Sequence, residues 1–167
     1  NYYLSAGYRN QDGVIEPSSF DRYSLRFNGD FQVSDKFKVG NSIAVTRSES
    51  NAISDNNRVN QGGVVLSALQ TPPTIPVQNE DGTYPENPYQ GGLDNPIALV
   101  RGQNLESLTY KVIANIYGEY KILDDLKIKT SFSVDLNAAK VESFIDPFTT
   151  ANGRALVGQA TNQNFDE

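Results

Sequence analysis

The sequence contains no cysteine and no histidine. That removes thiol nucleophiles, imidazole bases, disulfides and Cys/His zinc sites together. Methionine and tryptophan are missing as well. A chain without methionine that opens on Asn1 is expected to be a segment of a longer polypeptide. Its first residues also lack a basic region followed by an apolar core, so no signal peptide is read there. No apolar run approaches the roughly 18 to 20 residues a spanning helix requires. The longest is the short cluster Val64-Val65-Leu66-Ser67-Ala68-Leu69. If a membrane is crossed, strands must do the crossing. Positive charge is scarce too: 14 Lys and Arg are scattered among 20 acids, a net charge of −6, which argues against a nucleic-acid partner.

What the sequence does have is alternation, and it is cleanest over 108–136. Leu108, Tyr110, Val112, Ala114, Ile116, Gly118, Tyr120 and Ile122 fall on one face of the first arm, with Thr109, Lys111, Asn115, Glu119 and Lys121 on the other. After Leu123-Asp124-Asp125 the rhythm resumes, with Leu126, Ile128, Thr130, Phe132, Val134 and Leu136 opposed to lysines, serines and Asp135. Successive strand side chains point to opposite faces, so this reads as an antiparallel hairpin with one apolar and one charged face.

The same pattern predicts strands over about 2–9, 20–33, 37–48, 108–122 and 126–137. Turns are read at Asn10-Gln11-Asp12-Gly13 and Ser34-Asp35-Lys36, where Asn, Asp and Gly tolerate special backbone angles. Asn41 is the polar intruder on the apolar face of the third strand. Between 49 and 107 the alternation stops. Six of the chain's eight prolines lie between Pro72 and Pro96, so this stretch is read as a long loop, the place to look for recognition. A short helix is expected over 61–70, stopped by Pro72-Pro73, and a turn at Asn79-Glu80-Asp81-Gly82. After Asn137 the rhythm weakens, with pieces of another strand within 144–148 and 155–165. The fold class expected is all-β: an antiparallel meander of five or six strands.

Two geometric features give the sheet a direction. If the strands alternate up and down, the turns at 34–36 and 123–125 share one rim and the long connections share the other, as in outer-membrane barrels. Tyr110 and Tyr120 lie ten residues apart on the apolar face. At about 3.3 Å per residue and a tilt near 40°, they are separated by about 25 Å along a membrane normal, the height of a barrel's apolar band. Tyr23 and Phe31 bracket a similar band of about 20 Å. Half-buried alternation is equally what a soluble antiparallel sandwich or barrel displays. Pattern alone leaves both readings standing.

Several stretches resemble the SusC/RagA family of TonB-dependent outer-membrane transporters of Bacteroidetes. They are Tyr2-Tyr3-Leu4-Ser5-Ala6-Gly7-Tyr8-Arg9 with its Asn10 to Gly13 turn, Phe20-Asp21-Arg22-Tyr23-Ser24-Leu25-Arg26-Phe27-Asn28, and the Ser34-Asp35-Lys36-Phe37-Lys38-Val39-Gly40 turn. Ala68-Leu69-Gln70-Thr71-Pro72-Pro73-Thr74-Ile75-Pro76-Val77, Asp81-Gly82-Thr83-Tyr84 and Asn95-Pro96-Ile97-Ala98 resemble the family's extracellular insertion. The stretch 117–135 is similar to a later hairpin, although Ser133 stands where glycine is common. The resemblance covers about 1–137. It implies a segment of a TonB-linked transporter in the bacterial outer membrane that imports glycan oligosaccharides or peptides. The implied partners are TonB, a SusD-like lipoprotein, and the remainder of the barrel and its plug, with no cofactor and no covalent chemistry. The family's plug, TonB box and most of its barrel have no counterpart here. Five or six strands cannot close a 22-stranded barrel, so an open partial barrel with unpaired edges is expected.

For ligand binding, the loop offers Tyr84, Asn87, Tyr89, Asp94 and Asn95, aromatic faces beside amides and a carboxylate, which suit the apolar face and hydroxyl rim of a sugar ring. The same residues suit a proline-rich loop packed by its own tyrosines. Asp55, Asn56 and Asn57, and Asn79, Glu80 and Asp81, carry calcium-type oxygens without the twelve-residue loop spacing, and are read as turn chemistry. Asp124 and Asp125 are read as solvated turn residues. Arg22, Arg26, Lys111, Glu119, Lys127 and Lys129, on the polar strand faces, are expected to line a lumen and meet water or the plug. The alternative outside transport is a soluble carbohydrate-binding or adhesion β-domain. A hydrolase would need paired carboxylates in a pocket.

Overall fold

Alternation broken by turn residues folds the chain into one antiparallel sheet in which each strand pairs with its sequence neighbours. In the computed structural model, which describes residues 1–53, 63–91 and 93–166, the strands are β1 (Tyr2–Asp12), β2 (Ser19–Ser34), β3 (Phe37–Ala52), β4 (Gln103–Leu123), β5 (Leu126–Ile145) and β6 (Gln159–Asp166). Three short helices, α1 (Val64–Gln70), α2 (Pro96–Gly102) and α3 (Ala151–Leu156), lie in the connections at one end. The fold is therefore an all-β, six-stranded meander, as the periodicity predicts.

The strands run further than the expected spans. Pairing between β4 and β5 continues from Leu108↔Lys140 through Glu106↔Glu142 to Gln103↔Ile145. Apolar alternation ends before the ladder does, because backbone hydrogen bonds need no apolar side chain. The tail holds the expected strand pieces within different bounds: 144–145 in β5 and 159–165 in β6. Residues 144 and 145 close β5, and Ala155 and Leu156 end α3. Val157 (φ 56°) and Gly158 (φ 79°) then reverse the chain into β6.

Both tight turns share one design. Ser34↔Phe37 and Leu123↔Leu126 close two-residue turns over Asp35-Lys36 and Asp124-Asp125, and each ladder shifts register just before its turn. One extra residue on one strand sharpens the local twist. The Lys36 carbonyl accepts from the Lys121 amide at 2.8 Å, joining the two turns, and Asp124 pairs with Lys121 at 2.7 Å.

Among the described residues the buried hydrophobic side chains are Val64, Leu93, Ala98 and Leu99. All four belong to the β3–β4 connection. The sheet's apolar face is bare: Leu4, Ile116 and Phe132 are 65%, 55% and 68% exposed. Apolar patches of such extent on soluble monomers mark surfaces that another phase or partner covers.

Candidate functional site

The β3–β4 connection folds into a cap held by its own polar groups. α1 stops where the Thr71 amide and hydroxyl both donate to the Ser67 carbonyl, at 2.9 and 2.7 Å, immediately before Pro72-Pro73. At the turn expected over 79–82, the Gly82 amide donates to the Asn79 carbonyl at 3.0 Å, and Gly82 takes the left-handed φ of 84° that glycine permits. The Thr83 hydroxyl and amide donate to Asp81 at 2.6 and 2.9 Å, which holds its carboxyl below the usual range. Asp81 is thus committed to the turn. Among the described residues no group of three metal-ligating side chains forms. Asp55, Asn56 and Asn57 lie outside the described residues.

A second connection joins this cap. After β5 the Asp146 amide donates to the Gly102 carbonyl at 2.8 Å. Its carboxylate accepts from the Thr149 hydroxyl and from the Phe148 amide, and both bonds keep its pKa low. Thr150, fully buried, accepts from the Gly153 amide at 2.9 Å and so caps α3. An ion pair between Glu86 and Arg154 links the two connections.

The five candidate ligand residues all lie in or beside this cap, with different exposures. Tyr84 is half-buried and its phenol oxygen accepts from Arg101 Nη1 at 3.1 Å. Asn87 is 8% exposed; its Oδ1 accepts from the Tyr89 amide at 2.9 Å and its Nδ2 donates to the Gln70 carbonyl. Tyr89 is 79% exposed. Asp94 is half-buried. Asn95 is buried and caps α2, its Oδ1 accepting from the Ile97 and Ala98 amides at 2.9 and 3.4 Å, its Nδ2 donating to the Val77 carbonyl at 3.3 Å. The two amides therefore serve the loop backbone, and Tyr89 is the member most open to solvent. Arg101 is the neighbour that sequence reasoning missed; its signal was a basic residue in the last turn of α2. Asn95→Ala is expected to lower stability by about 1 kcal/mol, a typical N-cap loss. Amide hydrogen exchange at Ile97 and Ala98 measures it, and unchanged protection would count against the capping role.

The sheet carries a second set of features. On its apolar face Tyr8, Tyr23, Arg47 and Tyr110 are successive ladder partners. The Tyr8 and Tyr23 rings are 4.9 Å apart, and the Arg47 guanidinium sits 5.9 Å from both the Tyr23 and Tyr110 rings. Near the tight turns a second row forms, with Phe37 and Tyr120 opposite each other and their rings 6.5 Å apart. Between the rows lie Leu4, Phe27, Ile43, Ala114 and Val134, again in one register line. Beyond the tyrosine row the same face turns polar, and a groove of about 340 Å³ lined by residues including Asp21, Glu49, Glu106, Lys140 and Glu142 opens there.

The opposite face is polar along most of its length. Toward the tight turns its charges are matched: Lys38 with Asp30 at 3.5 Å, Lys127 with Glu119 at 3.2 Å and, further along, Lys111 with Asp135 at 3.8 Å. Tyr117 lies across Gly40 and donates its hydroxyl to Asp30. Lys129 Nζ stands 4.1 Å from the centre of that ring.

A strand wall with an apolar face between two aromatic rows, a polar reverse and elaborate connections at one end has the architecture of an outer-membrane barrel wall. No family model matches the chain. Two proteins of Formosa agariphila do. The chain is 32% identical to TonB-dependent receptor P3 over 163 residues, 96% of this chain and 16% of that protein. It is 30% identical to TonB-dependent receptor P26 over 146 residues, 86% of this chain and 14% of the relative. The chain thus spans about a sixth of the length of these relatives. This stretch is similar to a segment of two proteins named TonB-dependent receptors.

Proposed function

We propose that the chain is a wall segment of a SusC/RagA-type, TonB-linked transporter in the bacterial outer membrane. It would import glycan oligosaccharides beneath a SusD-like lipoprotein, with energy delivered by TonB and the lumen closed by a plug. The observation that carries this reading is the bare apolar face bounded by two aromatic rows. With Tyr110 and Tyr120 marking the rows, about 25 Å separates them along the normal. Lipid covers that face, the polar face lines the lumen, Asp124-Asp125 turn at the periplasm, and the cap stands outside the cell. β1 and β6, each paired on one side, continue into the remaining strands of the barrel. The proposed work is physical passage, with no covalent step.

The soluble β-domain reading requires something else to cover the same face, and the described connections do not cover it. Membrane fractionation of the intact receptor separates the two: recovery in the outer membrane and a need for detergent are expected, and stable monomeric behaviour in plain buffer would sink the transporter reading. Within the cap, Tyr89 and Tyr84 are the proposed sugar contacts, with Asn87, Asp94 and Asn95 shaping the loop around them. Replacing both tyrosines with alanine in the intact receptor is expected to weaken glycan uptake about tenfold or more, since loss of one aromatic stacking contact amounts to about 1 kcal/mol. Unchanged uptake would remove them from the site.

A further inference from the structure

The cations of the polar face are not distributed evenly. In a chain of net charge −6, this face holds Arg9, Arg22, Arg26, Lys38, Lys111, Lys121, Lys127 and Lys129, against Asp30, Glu119 and Asp135 as its acids. Lys38, Lys111, Lys121 and Lys127 are matched by carboxylates, and Lys129 stands over the Tyr117 ring. The arginines of β1 and β2 are different, although the paired Lys111 and Asp135 lie at the height of Ser24 and Arg26 across the sheet. Arg22 and Arg26 have no hydrogen-bond or ion-pair partner among the described residues, and Arg9, directly opposite Arg22 in the ladder, reaches only the Gln11 side chain and the Phe20 ring.

Two like charges directly opposite in a ladder repel, and among the described residues no carboxylate pairs with either arginine. The register also leaves a shallow floor between them. Gly7, Ser24 and Thr46 form one line across β1, β2 and β3, Ser48 lies beside Arg22, and Ser5 and Ala44 lie beside Arg26. Small side chains there leave the long guanidinium arms standing over open space. A guanidinium is a planar fork of donors that fits a carboxylate or sulfate group through two parallel hydrogen bonds. Arg22 adjoins Tyr23 of the tyrosine row and is twelve residues from Ser34, so it sits about 30 Å above the tight turns. That is the end of the lumen a solute from outside meets first.

We infer that Arg22 and Arg9, opposite each other at the outer mouth of the lumen, and Arg26, four residues further down β2 and about 10 Å deeper, form an acid-group subsite that begins at that mouth. Its ligand is an anionic oligosaccharide bearing carboxylate or sulfate groups. The inference rests on the transport reading above and narrows its substrate class. Low-dielectric walls lined by one sign of charge also raise the local concentration of the opposite sign, so the subsite draws such a chain in.

The test uses the intact receptor in detergent and in cells, with an oligogalacturonate and a sulfated galactan oligosaccharide, each paired with its neutral counterpart. Wild type is expected to bind at least one acidic probe about tenfold more tightly than its neutral partner at low salt, with the preference fading at high salt. Arg22→Gln/Arg26→Gln is expected to abolish that preference while leaving neutral binding and the melting temperature unchanged. Equal binding of acidic and neutral probes by wild type overturns the inference. So does a double variant that loses both probes alike and melts earlier, which would assign the arginines to holding the plug. Uptake of neutral glycans with no acidic preference rejects the subsite and leaves transport standing. Uptake of no glycan at all rejects the transport reading itself.

Discussion

Arginine at position 114 is expected to lower folding stability by about 2–4 kcal/mol, the penalty for a cation at the bilayer midplane. Ala114 lies in the line Leu4-Phe27-Ile43-Ala114-Val134, midway between the two aromatic rows. The neighbouring Asn115 points to the other face, where it donates to Ser133 Oγ at 2.7 Å. Asn115→Arg should therefore cost far less, on the order of one hydrogen bond, about 0.5–1.5 kcal/mol. Reversible unfolding of the intact receptor in lipid vesicles measures both. A soluble sheet would tolerate arginine on its exposed face, so equal effects at 114 and 115 would contradict the lipid assignment.

Gly40→Val is the second large effect. Valine normally favours strands, yet a Cβ at this position would fall within the Tyr117 ring that lies across it. Displacing the ring also breaks the hydroxyl contact with Asp30 and removes the platform beneath Lys129. Overpacking of this kind costs about 1–3 kcal/mol. Tyr117→Phe keeps the ring and loses only the hydroxyl bond, so it should cost about 0.5–1.5 kcal/mol. Thermal unfolding of the two variants is expected to rank them in that order. A neutral Gly40→Val would show that the ring moves aside freely.

Much of the sheet was legible because a half-exposed strand writes its two environments into alternate residues. The 108–136 hairpin, both tight turns and the tyrosine spacing all follow from that period of two. What was not legible lay where one of those environments ends. Beyond Tyr110 the ladder continues through Ser107↔Val141 and Glu106↔Glu142, but both faces meet water there and the pattern disappears. The β6 strand, with Gln159, Asn162, Gln163 and Asn164, was legible only as a piece within 155–165 for the same reason. In the cap, residue types announced polarity without direction. Asn87 and Asn95 resemble ligand amides in sequence, and only three-dimensional placement reveals that Asn95 caps α2 and Asn87 holds the loop at Gln70 and Tyr89. The unpaired state of Arg22 was likewise invisible, since it depends on register with Arg9 and Ser48.

The extra length of β4 has a mechanical consequence. From Tyr110 to Gln103 the strand rises about 18 Å beyond the tyrosine row, and it is braced there by β3 on one side and β5 on the other. In the proposed membrane placement this palisade of hydrogen-bonded backbone lifts the cap clear of the lipid headgroups. There the flanks of the cap as well as its top face the surrounding solution, and the Asp146–Gly102 bond and the Glu86–Arg154 pair hold its two connections together.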